Sequence, residues 1–319
     1  MVNPNSTVVV GGGISGVACA RALADRGLPV RLLDRGRQLG GRMGGRTLRG
    51  RPVDLGASYL TAAEGSPFAV VVAGWVDRGL ARPWTDTFAV AGPDGVERTT
   101  TGPVRYGTAG GLRSLVVDLA TGLDVELGRA VTAVSPGPRL DGEEARAVVL
   151  AMPDPQAARL FAGDVPDAGW RPSLAVALGW PDRHWPADLH GVFVHDSPVL
   201  EWLADDGDRR GDGAAVLVAH TTDPVAKRYD ARPEDAVVPV LDALRPLLGL
   251  QSAPVWTHAH RWRFASPPEP RDTAFHLGDD GVCLAGDGWG SPKVETAWRS
   301  GTTLGRALAR VCTKSDESA

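Results

Sequence analysis

The chain has 319 residues, 43% of them hydrophobic and 23% charged, with a formal net charge of −4. That length exceeds what one hydrophobic core ordinarily serves, so two domains are expected, and the acidic balance argues against a nucleic-acid-binding surface. Cys19, Cys283 and Cys312 are too widely spaced for a disulfide framework or a metal site, and no run of about 18 apolar residues, the length of a membrane span, occurs.

The predicted elements begin with a buried strand over residues 7–10, which runs directly into Gly11-Gly12-Gly13-Ile14-Ser15-Gly16. This G-x-G-x-x-G turn opens a helix in which Val17, Ala20, Leu23 and Ala24 recur at helical spacing until Gly27. Gly11 allows the tight turn, Gly13 lets backbone N–H groups approach a pyrophosphate, and Gly16 permits close packing of helix on strand. Ile14 and Ser15 then lie at the positive helix terminus, where a phosphate is favoured. A second strand, residues 29–33, delivers Asp34, whose carboxylate suits a ribose diol.

After Asp34 comes Arg35 and then Leu39-Gly40-Gly41-Arg42-Met43-Gly44-Gly45-Arg46, a second glycine-rich turn for which a domain binding NAD has no use. Gly41 lets the chain pass close to a bound cofactor, while Arg42 can pair bidentately with its pyrophosphate. Gly56, Ala57 and Ser58 follow as small residues against which a flat ring system could lie, with Tyr59 next to them.

A helix is predicted over residues 109–120, then strands over 123–127, 130–134 and 147–151, after which Pro153, Pro155 and Pro166 mark a crossing into a second unit. Alternating segments over 173–180, 191–195, 199–203 and 214–220 predict an antiparallel sheet with one solvated face. A helix over 234–247 precedes a strand over 255–264. Alternation puts Trp256, His258, His260, Trp262 and Phe264 on one face of that strand. Such a face suits the wall of a cavity for a flat heteroaromatic molecule; it equally suits a strand packed under helices with satisfied core histidines. A last buried strand ends at Gly286-Asp287, close to Trp289, and a helix spans 294–311 before the polar residues 313–319. Asp287 is placed to hydrogen-bond a ribityl chain. The helix start at Val294, Glu295 and Ala297 offers positive potential to a flavin's electron-rich edge.

Four segments together resemble the FAD-binding pattern of the monoamine oxidase superfamily: Gly11/Gly13/Gly16 with Asp34, Gly40-Gly41-Arg42, Asp54-Leu55-Gly56-Ala57, and Gly286-Asp287 with the Val294-Glu295-Thr296-Ala297 that follows. Arg261-Trp262-Arg263-Phe264-Ala265 and the short chain make the similarity greatest to the renalase-like branch. Asp34 stands where many relatives carry glutamate. The resemblance implies an α/β fold with a Rossmann-type FAD-binding domain (1–62, 102–152 and 270–312) interleaved with an α+β substrate domain (63–101 and 153–269) containing a mainly antiparallel sheet, ahead of a polar tail at 313–319. It also implies that the Val131 backbone touches adenine. The alternation over 255–264, with Tyr59 just after Gly56-Ala57 and Trp289 just after Gly286-Asp287, makes Tyr59, His258, His260, Trp262 and Trp289 the candidate lining of the substrate pocket.

The flavin itself accepts the hydride at N5, so no catalytic side chain is demanded, and no triad, paired-carboxylate or metal signal stands out. A second dinucleotide turn and a C-x-x-C pair are both absent, which leaves dioxygen as the simplest acceptor, giving hydrogen peroxide. No cysteine lies between Gly286 and the last helix, so the FAD is expected to be non-covalent. The leading expectation is an FAD-dependent oxidase of a small heteroaromatic donor, an aberrant dihydronicotinamide isomer, with a nicotinamide dinucleotide as the small-molecule partner and neither nucleic acid nor membrane involved. The alternatives are an amine oxidase or secondary-metabolite flavoenzyme, weakened because no lysine lies between Lys227 and Lys293, and a non-catalytic FAD-binding protein. Reduced cysteines and the lack of a leader-like segment suggest the cytoplasm.

Overall fold

A computed structural model describes residues 3–317 apart from 94, 164, 166–168 and 268, with side chains described as far as 312. In chain order its elements are β1 (Thr7–Val10), α1 (Ile14–Ala24), β2 (Val30–Asp34), β3 (Gly45–Leu48), β4 (Arg51–Asp54), α2 (Pro67–Asp77), β5 (Arg82–Gly92), β6 (Gly95–Gly107), α3 (Arg113–Leu119) and β7 (Asp124–Leu127). Then follow β8 (Val134–Ser135), β9 (Arg139–Leu140), β10 (Glu143–Glu144), β11 (Ala147–Leu150), α4 (Asp154–Ala157), β12 (Arg171–Gly179), β13 (Gly191–Val194), β14 (Leu200–Asp205), α5 (Asp206–Arg210) and β15 (Val216–Thr221). The chain closes with α6 (Asp223–Arg228), α7 (Val237–Leu248), β16 (Trp256–Ser266), β17 (His276–Leu277), β18 (Val282–Leu284) and α8 (Val294–Glu317). It divides into two compact units: Met1–Met43, Arg113–Trp170 and Ser266–Ala319 form the first, and Gly44–Leu112 with Arg171–Ala265 the second.

The first unit is built on a six-stranded sheet of order β17-β18-β11-β1-β2-β7, parallel except at the β17–β18 pair. Its central strands, TVVV in β1 and AVVL in β11, are buried throughout, as expected where both faces of a parallel sheet are covered. Helix α8 lies against α1 backbone to backbone: a Cβ on Gly301 would stand 1.9 Å from the Ser15 carbonyl oxygen, and one on Gly305 2.6 Å from that of Cys19. Any larger residue at 301 would drive the helices apart.

The second unit holds a seven-stranded sheet of order β16-β12-β15-β14-β13-β5-β6. Its pairings β12–β15, β14–β15, β13–β14 and β5–β6 are antiparallel and β13–β5 is parallel. Val176, Leu178, Leu203 and Leu217 pack against Val240 and Leu244 of α7. The opposite side of the same strands carries Ala175, Ala177 and Val218, which pack with Val53 and Leu55.

The mixed α/β class and the Rossmann-type sheet follow the sequence, but several elements do not. Residues 130–133 form no strand, because the Asp141 carboxylate accepts the backbone N–H groups of Thr132 (2.8 Å) and Ala133 (3.0 Å) and takes them out of any ladder. The sheet expected to have one solvated face is buried on both at β12 and β15, since α7 covers one side and Val53 and Leu55 pack on the other. The expected boundary at 101/102 cuts through β6, whose partner β5 was not foreseen. Residues 44–62, assigned to the FAD domain, fall in the second unit, and 153–170 fall in the first. The expected tail continues as helix through Glu317, and Pro166 lies outside the described residues.

Candidate functional site

In the first unit, three glycines of one turn meet three different surroundings. A Cβ on Gly11 would stand 2.4 Å from the Ala151 carbonyl oxygen and one on Gly16 2.0 Å from the Gly11 carbonyl oxygen, so both are closed in by the protein itself. A Cβ on Gly13 would meet only the Cα of Gly41, at 3.8 Å. Gly13 therefore keeps open space on its exposed side, as a group that must approach the backbone requires. Gly13 caps α1 without a side-chain hydrogen bond, and the buried Ser15 hydroxyl beside it has no hydrogen-bond partner. Free N–H groups, an unpartnered hydroxyl and open space fit a pyrophosphate.

Asp34 lies at the end of β2, where its carboxylate accepts the N–H groups of Gly12 and, at 2.6 Å, Gly36. It thus shapes the turn. The second glycine turn docks on the first: Gly40 donates its N–H to the Gly12 carbonyl oxygen at 2.8 Å and bridges Gly13. Arg35 points outward and is exposed, Val131 packs at the edge of the first unit's core, and Val294, Glu295 and Ala297 are half-buried in the first turn of α8. Gly286 is tied to that helix by its N–H to Ser300 Oγ at 3.0 Å. Arg42 and Asp287, expected to hold different parts of a cofactor, hold each other: Nη1 donates to Oδ2 at 2.7 Å and Nη2 to Oδ1. Trp289 is buried, with its ring stacked on His276.

In the second unit, residues 55–59 form an irregular stretch after β4, fastened by side chains from elsewhere. Trp262 Nε1 donates to the Leu55 carbonyl oxygen at 2.6 Å, and Trp202 Nε1 donates to Ser58 Oγ at 2.8 Å. Tyr59 joins Trp84, Phe88 and Trp202 in an aromatic cluster, with Phe88 and Trp202 ring centroids 4.8 Å apart. Burial raises the Tyr59 phenol above its usual range, against the pull of Arg105. On β16, His260 packs edge-on against Trp262 at 4.5 Å. Burial, aided by Arg46, His258 and Arg261, pushes the His260 imidazole down to about 4, and burial with Arg46 also lowers His258. Burial thus disfavours the charged form of both rings, and His258 Nε2 is buried without a partner. Strand alternation thus brings these residues together, but Trp256 and Trp262 also pack on Val53, Leu55 and Ala177. The face expected to wall a cavity thus contributes to the core of the second unit.

What the sequence did not disclose is α5. Asp206-Gly207-Asp208-Arg209-Arg210 carries no apolar residue, yet Asp206, Arg209 and Arg210 are buried. Arg209 donates to Asp206 and to the carbonyl oxygens of Ser58 (2.8 Å) and Asp54 (3.3 Å). Arg210 pairs with Asp54 at 3.1 Å. Burial pushes Asp206 upward, but Arg209, Arg210 and Arg51 together hold it below the usual carboxylate range. No local pattern announces such a cluster. The one available signal is two arginines three and four residues after an acid, the spacing of helical ion pairs.

The profile of an NAD(P)-binding Rossmann-like domain matches residues 9–72, and that of flavin-containing amine oxidoreductases matches residues 84–308. Polyamine oxidase 5 of Oryza sativa subsp. japonica is 48% identical over 58 residues, 18% of this chain and 12% of the rice protein. Polyamine oxidase 2 of Arabidopsis thaliana is 40% identical over 68 residues, 21% and 14% of the two chains. These matches therefore span about an eighth of the curated relatives' length. Among solved structures, a protein from Exiguobacterium sp. 255-15 named a putative protoporphyrinogen oxidase superposes with a TM-score of 0.76 at 16% identity, covering 98% of this chain and all of the other. A putrescine oxidase bound to putrescine gives 0.72 at 15% identity, with 98% and 100% covered. At that identity the likeness speaks for the fold. Among the described residues no helix is long and apolar enough to cross a membrane, and no group of three or more His, Cys, Asp or Glu could hold a metal ion.

Proposed function

We propose, since this chain belongs to the flavin-containing amine oxidoreductase family, that it is an oxidase of a small, flat heteroaromatic donor, an aberrant dihydronicotinamide isomer, with dioxygen as acceptor. Membership makes the chain an oxidoreductase with FAD as its cofactor, and not a non-catalytic carrier. When bound, FAD supplies hydride acceptance at N5. Gly13 and Ser15 would receive its pyrophosphate, Asp34 a ribose, and Asp287, with Arg42 fastened to it, the ribityl chain. The donor gives up a hydride, and that hydride leaves with a solvent proton and dioxygen as hydrogen peroxide.

The observation that carries the substrate class is the face of β16 on which His260 packs edge-on against Trp262 at 4.5 Å, with His258 on the same face and burial disfavouring charge on both imidazoles. Neutral imidazoles orient a carboxamide or ring nitrogen by hydrogen bonds without placing a charge against a flat ring. The Arg261-Trp262-Arg263-Phe264-Ala265 stretch supports the renalase-like branch in particular, and three buried free cysteines suit the reducing cytoplasm. Amine oxidation is the second reading, favoured by the family itself and by the polyamine oxidase matches.

Anaerobic mixing with dihydronicotinamide isomers on one side and with putrescine and longer polyamines on the other separates the two. Bleaching of the flavin band at roughly 450 nm, a property of the cofactor, is expected with a dihydronicotinamide, followed by recovery and peroxide formation in air. Bleaching by amines alone would replace the leading reading with the second.

A further inference from the structure

Asp287 and Trp289 stand two residues apart on a turn of the first unit, residues 286–290, every one of which is buried. Little regular ladder holds this turn. Instead a circuit of side chains from distant segments runs around it. Arg42 grips the Asp287 carboxylate with both nitrogens, and its guanidinium lies 4.9 Å over the ring of Trp170. Trp170 Nε1 donates to Asp154 Oδ2 at 2.8 Å. Asp154, only 4% exposed, also takes both nitrogens of Arg271, at 2.6 and 3.2 Å. The Arg271 guanidinium lies 4.5 Å over Trp289, and the backbone through Gly288 returns to Asp287. Gly288 sits inside the ring. A Cβ there would stand 3.1 Å from Trp170, 3.5 Å from Arg271 and 3.8 Å from Asp154.

We propose that Asp154, Trp170 and Arg271 are positioning residues for FAD, which act by holding the 286–290 turn in the shape that presents Asp287 to the cofactor. The inference rests on the reading that FAD occupies the cradle of the first unit. Asp154 is the keystone. It is the one group bonded both to the indole that supports Arg42 and to the guanidinium that supports Trp289, so its carboxylate couples the two ends of the turn. The ring contains two carboxylates and two guanidinium groups and carries no net charge. Its contribution to binding an anionic cofactor is therefore one of shape, and this separates it from a simple cluster of positive charge.

The test exploits that difference. Asp154→Asn makes the surroundings of an anionic cofactor more positive, so long-range attraction alone predicts tighter FAD binding. The ring predicts the opposite, because an amide cannot accept two guanidinium bonds and the indole together. Apoprotein titrated with FAD, read by quenching of flavin fluorescence, should show a dissociation constant raised about tenfold or more, the scale of one lost charge-assisted hydrogen bond. The visible circular dichroism of the bound flavin should change with it. Gly288→Ala keeps every ring side chain but must push Trp170 aside, and it should weaken FAD binding in the same direction, which keeps the test decisive if Asp154→Asn folds poorly. Trp170→Phe retains the surface beneath Arg42 and loses only the N–H donor, and should fall between wild type and Asp154→Asn. Equal or tighter FAD binding in Asp154→Asn and Gly288→Ala, with an unchanged dichroism band, would overturn the ring alone. A wild-type apoprotein that took up no FAD would remove the cofactor reading and this inference with it.

Discussion

Arg209 donates to the carbonyl oxygen of Ser58 at 2.8 Å, and the same guanidinium reaches the Asp54 carbonyl oxygen, so that one buried side chain ties the two ends of the stretch 54–58. Three of the small residues expected to face a flavin, Gly56, Ala57 and Ser58, lie between those two anchors. Arg209→Ala should leave the Asp206 carboxylate buried with less of its charge compensated. The cost should be about 3–5 kcal/mol, as for other broken buried ion pairs, and read as a lowered urea midpoint. Arg209→Lys keeps the charge but cannot fork to both carbonyl oxygens, and should recover only part of the loss. A midpoint within error of wild type for Arg209→Ala would show that the clamp does not stabilise the fold.

The glycines of the first turn should respond in two distinct ways. Gly13→Val adds a branched side chain to open space, so the folded protein should survive while FAD retention is lost. Gly16→Ala puts a Cβ 2.0 Å from the Gly11 carbonyl oxygen, so the whole unit should be destabilised. Flavin absorbance per protein, compared with the melting temperature, distinguishes the outcomes. A fully loaded Gly13→Val protein would move the pyrophosphate elsewhere.

Trp262 is both packed and hydrogen-bonded, and two substitutions separate the contributions. Trp262→Phe keeps most of the packing on Val53, Leu55 and Ala177 and gives up the bond to the Leu55 carbonyl oxygen, at a cost of about 0.5–1.5 kcal/mol. Trp262→Ala opens a cavity as well and should cost about 3–5 kcal/mol. Under the proposed function, Trp262→Ala should also slow anaerobic flavin reduction in the protein that remains folded. An unchanged reduction rate in that fraction would leave Trp262 a purely structural residue.

The histidines of β16 set a pH dependence with a definite sign. In the unfolded chain an imidazole gains its proton near about 6.5, whereas burial, with help from Arg46, His258 and Arg261, holds His260 at about 4 in the fold. Between those values the unfolded state binds more protons, so the contribution is fully present above the upper value and is lost as the pH falls toward the lower. The urea midpoint should therefore drop through this window. His258→Gln with His260→Gln should make the drop shallower, leaving the share of His220, which burial also holds at about 4. An equally steep decline in the double variant would assign the effect to other groups.

The glycine turn and the acid that ends β2 were legible because their signal is local: Gly11, Gly13, Gly16 and Asp34 lie within 24 residues, at the strand-to-helix turn and the strand end that the spacing indicates. Strand β16 was legible for the same reason, since alternation alone sorts Trp262 from Arg263. Arg209 and Asp154 were not. Their roles depend on partners far along the chain, Ser58 and Arg271, and a buried charge in isolation looks like a solvated one in sequence. The β5–β6 hairpin escaped notice because polar threonines and arginines fill β6, leaving it without an apolar alternation to read. Arg42 and Asp287 were each identified, but nothing in their separation of 245 residues revealed that they bind one another.

The close seating of Gly301 on Ser15 has a bearing on synthesis. The glycine turn at residues 11–16 leaves the ribosome well before the helix segment around Gly301 that packs on α1, and β11 and β18 of the same sheet also come later. A nascent chain that has not yet released residue 301 carries an α1 with one side bare and a parallel sheet lacking its neighbours. Under the proposed function, FAD uptake therefore waits until residue 301 has been made and α8 can seat on α1. Until then the apolar strand 7–10, buried in the finished fold, depends on whatever shields nascent chains.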